Sequence, residues 1–149
     1  MPKKNLIFIP CELKPNSYYF KYIKHNVISY KPAFVFGKLL EVKSAPFSEY
    51  LISEIGYIDN NPILFGYLCD ITNEGLIVAD KMKGFMGDTD LNSNHRRLDH
   101  CFLNFNLAVS CWIYHFRKQV NNVSYKEVKF GLWDLKDLEL MNFVKEMTN

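Results

Sequence analysis

Two stretches of this chain, residues 32–42 and 63–71, are apolar on both alternating faces, and each carries a glycine near its middle. In the first, Ala33, Val35, Gly37 and Leu39 alternate with Phe34, Phe36, Leu40 and Val42. In the second, Ile63, Phe65, Tyr67, Cys69 and Ile71 share one face. Successive side chains of a strand point to opposite sides, so such stretches need cover on both sides. A ribbon with one wet face is excluded. Gly37 and Gly66 mark a bulge, a sharp bend, or backbone closely approached by a ligand.

The rest of the chain supplies partners for these strands. Residues 5–9 form a compact β-type run that ends at Pro10, and 11–16 read as a loop with a turn at Lys14-Pro15-Asn16. A short helix or turn is expected in 17–25, with strands at 27–29 and 51–55. Residues 43–49 read as a loop around Pro46. Leu76 to Lys83 predicts an amphipathic helix, with Asn73 as its cap. Gly84 stops that helix, and Phe85 folds back onto an apolar surface. Residues 84–94 are polar and loop-like. Aromatic-rich strands follow at 98–107 and 108–116, with their turn near 104–106, and a short one at 125–130. Asp134 opens a C-terminal helix on which Leu138, Met141 and Val144 recur, widened by Leu140, Phe143 and Met147. The reading is one α+β domain over residues 1–149, with about six strands and two to three helices.

Composition narrows the function. Eighteen basic and 16 acidic residues leave a formal charge of +2, and the only basic clusters, Lys3-Lys4 and Arg96-Arg97, are too small for a nucleic-acid surface. No window is long and apolar enough to span a membrane, and the run 6–9 is too short for a signal peptide, so a cytoplasmic protein is expected. Cys11, Cys69, Cys101 and Cys111 form no C-x-x-C pair and sit among apolar residues, which predicts buried free thiols. Asp88, Asp90, Asn92, Asn94 and Asp99 mimic a calcium loop, but Ser93 stands where the turn glycine belongs and Asp99 where a glutamate belongs. His95, His100, Cys101 and His115 match no tight zinc spacing. No metal or other cofactor is expected. Glu12, beside the Cys11 thiol at a strand end, has the residue type for acid–base work. Arg96 and Arg97 suit a carboxylate ligand.

In order and spacing these landmarks resemble the gamma-glutamylcyclotransferase-like family, also called AIG2-like or BtrG-like. Its members open with a strand running into a Tyr-Gly-Ser/Thr-Leu loop; here the corresponding residues are Leu6 to Ile9, then Pro10-Cys11-Glu12-Leu13. An A-x-V-x-G-x-L strand follows, matched by Ala33-Phe34-Val35-Phe36-Gly37-Lys38-Leu39, and a second glycine-centred strand by Ile63 to Leu68 around Gly66. A helix ending L-D-x-L/I-E-G-F/Y comes next, matched by Ala79-Asp80-Lys81-Met82-Lys83-Gly84-Phe85. The Y-x-R-like segment corresponds to His95-Arg96-Arg97, and the W-V-Y ending to Trp112-Ile113-Tyr114.

The resemblance implies a small mixed β-barrel of about six strands with two to three flanking helices. It also implies chemistry: active members release 5-oxoproline from gamma-glutamyl compounds. The first loop holds the gamma-glutamyl group, and the glutamate at the helix end is the general acid/base. Both elements differ here. Lys83 occupies the glutamate position, and Pro10-Cys11-Glu12 replaces the Tyr-Gly-Ser/Thr triplet. An ordinary lysine is protonated at neutral pH and cannot accept the proton. The leading expectation is a non-catalytic member that keeps a pocket for a small anionic or gamma-glutamyl-like ligand. Cys11, Leu13, Gly37, Gly66, Arg96 and Arg97 would line that pocket, as a monomer or homodimer without nucleic-acid or membrane partners. One alternative is an active enzyme with Glu12 as relocated acid/base and Lys83 opposite it. The other is a scaffold that binds a protein partner.

Overall fold

The computed structural model describes residues 5–10, 23–44, 47–53, 63–87, 95–116, 125–127 and 138–148. In chain order these give β1 (Asn5–Pro10), a 3-10 turn (Lys24–Asn26), β2 (Val27–Phe36), β3 (Leu39–Ser44), β4 (Phe47–Ser53) and β5 (Ile63–Ile71). Helix α1 (Asn73–Met82), β6 (His95–Asn104), β7 (Leu107–Phe116), β8 (Tyr125–Glu127) and α2 (Leu138–Thr148) follow. The α+β class expected from the sequence is what forms.

The strands join in one sheet of order β1-β5-β2-β6-β7-β4-β3-β8, and β1 also touches β7. The expected six-stranded barrel is corrected: the sheet curls but does not close into a barrel. Two of its junctions are single register pairs, Ile7 opposite Trp112 between β1 and β7, and Phe34 opposite Phe102 between β2 and β6. Strand β2 ends at Phe36, two residues past its contact with β6, and the chain turns into β3. β3 then pairs with β4, and β4 joins the far side of β7 through Ile52 opposite His115. The hairpin therefore extends the sheet as an open arm, where the sequence suggested one strand through 32–42 and a loop at 43–49.

Both sheet faces are covered, as the two-sided apolar stretches require. The inner face gathers Phe8, Ala33, Val35, Leu68, Cys101 and Ile113 from five strands, all nearly inaccessible. On the outer face α1 sends Ala79 and Leu76 onto Ile7, Ile71 and Tyr114. Helix α2 sends Leu140 and Val144 onto Phe34 and Phe65, with Phe143 and Met147 beside them. That i, i+3, i+4, i+7 set is the apolar face of a helix laid on a sheet. Phe34, fully buried, stacks on Phe102 at 5.4 Å between ring centres and contacts Phe105 at 5.0 Å. Removing such a ring from water is worth about 2–3 kcal/mol.

Gly66 marks a close approach of backbone. A Cβ there would collide with the Ile9 carbonyl oxygen and lie 2.8 Å from Pro10 Cα. The approaching chain is the end of β1, where Pro10 is opposite Gly66 in the ladder.

Thr72, not Asn73, caps α1. Its hydroxyl accepts from the Gly75 N–H at 3.0 Å and donates to Asn26 Oδ1 at 3.0 Å. Asn73 instead accepts from the Asn5 side chain at 2.6 Å. At the other end the sequence reading holds. Gly84 takes φ of 69°, the Phe85 N–H reaches back to the Asp80 carbonyl at 2.9 Å, and the Gly84 N–H to Lys81 at 3.3 Å. This is a Schellman stop, and it seats Phe85 on the core beneath α1. Among the described residues no helix is long and apolar enough to cross a membrane.

Candidate functional site

The C-terminal end of α1 brings together the polar groups that the sequence placed far apart. Arg96 on β6 is directly opposite Tyr114 on β7, so both side chains leave the sheet on the same face, toward α1. Arg96 Nη1 donates to both carboxylate oxygens of Asp80, at 2.9 and 2.8 Å. The Tyr114 hydroxyl donates to Asp80 Oδ1 at 2.7 Å. The guanidinium lies 4.9 Å from the Phe85 ring centre and 4.5 Å from that of Trp112. The Schellman stop that places Phe85 therefore also builds one wall of this arginine site. Burial, and then the Asp80 carboxylate beside it, push the Tyr114 hydroxyl above its ordinary range.

Lys83 closes α1 one turn after Asp80 and is only 3% exposed. The helix end thus presents a buried cation and a carboxylate already engaged by an arginine and a tyrosine. An acid–base catalyst needs an acceptor position open to the substrate proton. Asp80 instead has three charge-assisted or hydroxyl hydrogen bonds holding it to the sheet, an arrangement that ties α1 to β6 and β7.

A cavity of about 560 Å³ opens elsewhere on the outer face, across β1, β5 and β2. Four of its lining residues, Ile9, Cys69, Val27 and Tyr67, also belong to or pack on the apolar cluster under α1. Ile9 and Cys69 form a buried floor. Burial pushes the Cys69 thiol up to about 12, so it is a neutral apolar surface and not a nucleophile near pH 7. Tyr67 and Tyr30 make a wall, their rings edge to face at 5.5 Å. The β2–β5 ladder slips between Val27 and Ser29, and Ile28 is the residue the slip leaves over. Such a bulge re-aims side chains; here Val27, Ile28 and Ser29 all line the cavity. Ile28 and Tyr30 remain 65% and 58% exposed. Lys24 is the one charged side chain among the described residues that line it.

Of the residues predicted from sequence, the structure describes Gly37, Gly66, Lys83, Arg96 and Arg97. Cys11, Glu12 and Leu13 lie outside the described residues, as do positions 88–94 of the calcium-like run. Gly37 is packed under Ile52, whose Cγ2 would be 3.1 Å from an added Cβ, and Gly66 is filled by the end of β1. Both glycines serve chain packing. Arg96 belongs to the Asp80 site, whereas Arg97, next along the strand, leaves from the opposite face and is exposed. None of Gly37, Gly66, Lys83, Arg96 and Arg97 is among the described residues lining the cavity. Cys69, Cys101 and Cys111 are buried free thiols, as expected. Cys101 and Cys111 are diagonal neighbours on the inner side of β6 and β7, where their mutual hydrogen bond and then burial push Cys111 up. No group of three or more metal-ligating side chains occurs among the described residues.

Sequence reasoning missed Asp80, Tyr114 and the cavity. Nothing local in sequence pairs a helix carboxylate with an arginine 16 positions on. Neither a protein-family model, nor a curated protein, nor a solved structure matches this chain.

Proposed function

We propose that this chain is a small-molecule-binding domain that holds an anionic ligand without performing acid–base chemistry at the end of α1. The observation that carries the reading is the state of that helix end: Lys83 is buried at its last position, and Asp80 is engaged by Arg96 and Tyr114. Lys83 stands where the gamma-glutamyl reaction uses a carboxylate, and both oxygens of Asp80 are already engaged. The order of sequence landmarks supports kinship with the gamma-glutamylcyclotransferase-like proteins, and Lys83 supports loss of their reaction. A cavity of about 560 Å³ falls in the range of sites for small ligands, which supports binding as the retained role.

Incubation with gamma-glutamyl amides, followed by chromatography for 5-oxoproline, tests the reading. Product at the uncatalysed rate is expected. Catalytic release above that rate would sink it.

A further inference from the structure

We infer that the outer-face cavity of β1, β5 and β2 is a binding site for an aromatic monocarboxylate, its ring held by Tyr30 and Tyr67 and its carboxylate by Lys24. This rests on the binding reading above and gives it a location and a ligand class. Three observations carry it.

The first is shape. The cavity has a closed apolar floor, Ile9 and Cys69, and a rim whose apolar groups stay in water, Ile28 and Tyr30. Large apolar side chains left exposed around a concavity mark a recognition site more than a packing defect. The bulge at Ile28 is the local device that makes it, because a regular β2 would turn one of Val27, Ile28 and Ser29 to the other face.

The second is ring geometry. Tyr30 and Tyr67 meet edge to face, and the exposed Tyr30 ring offers its remaining surface to a third ring in the same arrangement. The third is charge. Lys24 is the single charged group among the described lining residues, and no carboxylate accompanies it there. A ligand with one negative charge and an aromatic body satisfies all three. A dianion would leave charge over an apolar floor, and a cation would meet Lys24 unpaired.

The test titrates 2-naphthoate, and 2-naphthamide as its neutral counterpart, into the full chain followed by amide chemical shifts. Lys24→Ala, Tyr30→Ala and Arg97→Ala accompany the wild type. All three side chains are exposed, so the variants keep the fold, which circular dichroism verifies. Saturable binding of 2-naphthoate is expected, about fivefold tighter than 2-naphthamide, with shifts centred on residues 27–30, Tyr67 and Cys69. Lys24→Ala should remove the difference between the two probes, and Tyr30→Ala should weaken both about tenfold. Arg97→Ala should change neither. Equal affinity for both probes with no effect of Lys24→Ala, weakening by Arg97→Ala instead, or no saturable binding would each overturn the assignment. Release of 5-oxoproline would sink the non-catalytic reading and leave these titrations standing, so the two failures are distinguishable.

Discussion

Replacing Asp80 by alanine strikes the contact that fastens α1 to the sheet. The variant strands two groups. Arg96 keeps its charge between Phe85 and Trp112 with its carboxylate gone, and the buried Tyr114 hydroxyl loses its acceptor. Breaking a fully buried ion pair from one side costs about 3–5 kcal/mol, and an exposed pair is worth about 0–1 kcal/mol. The Arg96 and Asp80 side chains are 18% and 21% exposed, which places the arginine part between those limits, at about 2 kcal/mol. An unsatisfied buried hydroxyl adds about 1–2 kcal/mol. The expected loss is therefore about 3–4 kcal/mol, or roughly 6–16 °C in Tm for a chain of this size. Asp80→Asn, which retains an acceptor for Tyr114, should lose about half as much. Urea denaturation at neutral pH measures both, and a double-mutant cycle with Arg96→Met isolates the coupling. An Asp80→Ala variant within about 0.5 kcal/mol of wild type, or costs of the two single variants that simply add, would refute the reasoning.

Two further outcomes follow from the same packing. Gly66→Ala places a Cβ into the Ile9 carbonyl and the Pro10 backbone, neither of which can rotate aside, and should cost at least about 3 kcal/mol or abolish folding in a denaturation assay. Stability should fall at alkaline pH: the buried Cys69 thiol is held up to about 12 against an ordinary value of 9.0, so its contribution is complete below pH 9 and is lost as pH rises toward 12. Denaturation between pH 8 and 11 should show a slope of up to ~1.4 kcal/mol per pH unit from this thiol, reduced in Cys69→Ala; an unchanged slope would contradict its burial. Tyr114, also raised by burial and by Asp80, adds a second loss at higher pH.

What the sequence disclosed was whatever local pattern controls. The β5 boundaries, the β6–β7 turn at 105–106 and the Gly84 stop were readable, because alternation, a two-residue turn and an αL glycine are short-range effects. Pro32 falls within the expected strand and within β2, although proline cannot donate to a ladder. It is tolerated in β2 because that part of the strand pairs with β5 alone, and β6 meets β2 only at Phe34. Pro46 misled by suggesting a long loop where β3 and β4 form a tight hairpin, Ser44 opposite Phe47. Thr72 and Asn73 are both competent caps, and the choice falls to Thr72 through Asn26, 46 residues earlier. The open arm and the cavity were hidden for a related reason. Each depends on where one strand leaves its neighbour: Gly37 marked a bend but not the partner that β3 takes after it, and the Ile28 bulge has no pattern that sequence spacing reveals.

The central claim, that this chain binds at its sheet and does not move protons at the end of α1, is tested most directly by one proton-NMR time course of the chain with a gamma-glutamyl amide. The predicted result is a substrate spectrum unchanged in amount over days, with no 5-oxoproline signals above those of a protein-free sample. Signals of 5-oxoproline that grow in proportion to protein concentration would contradict it.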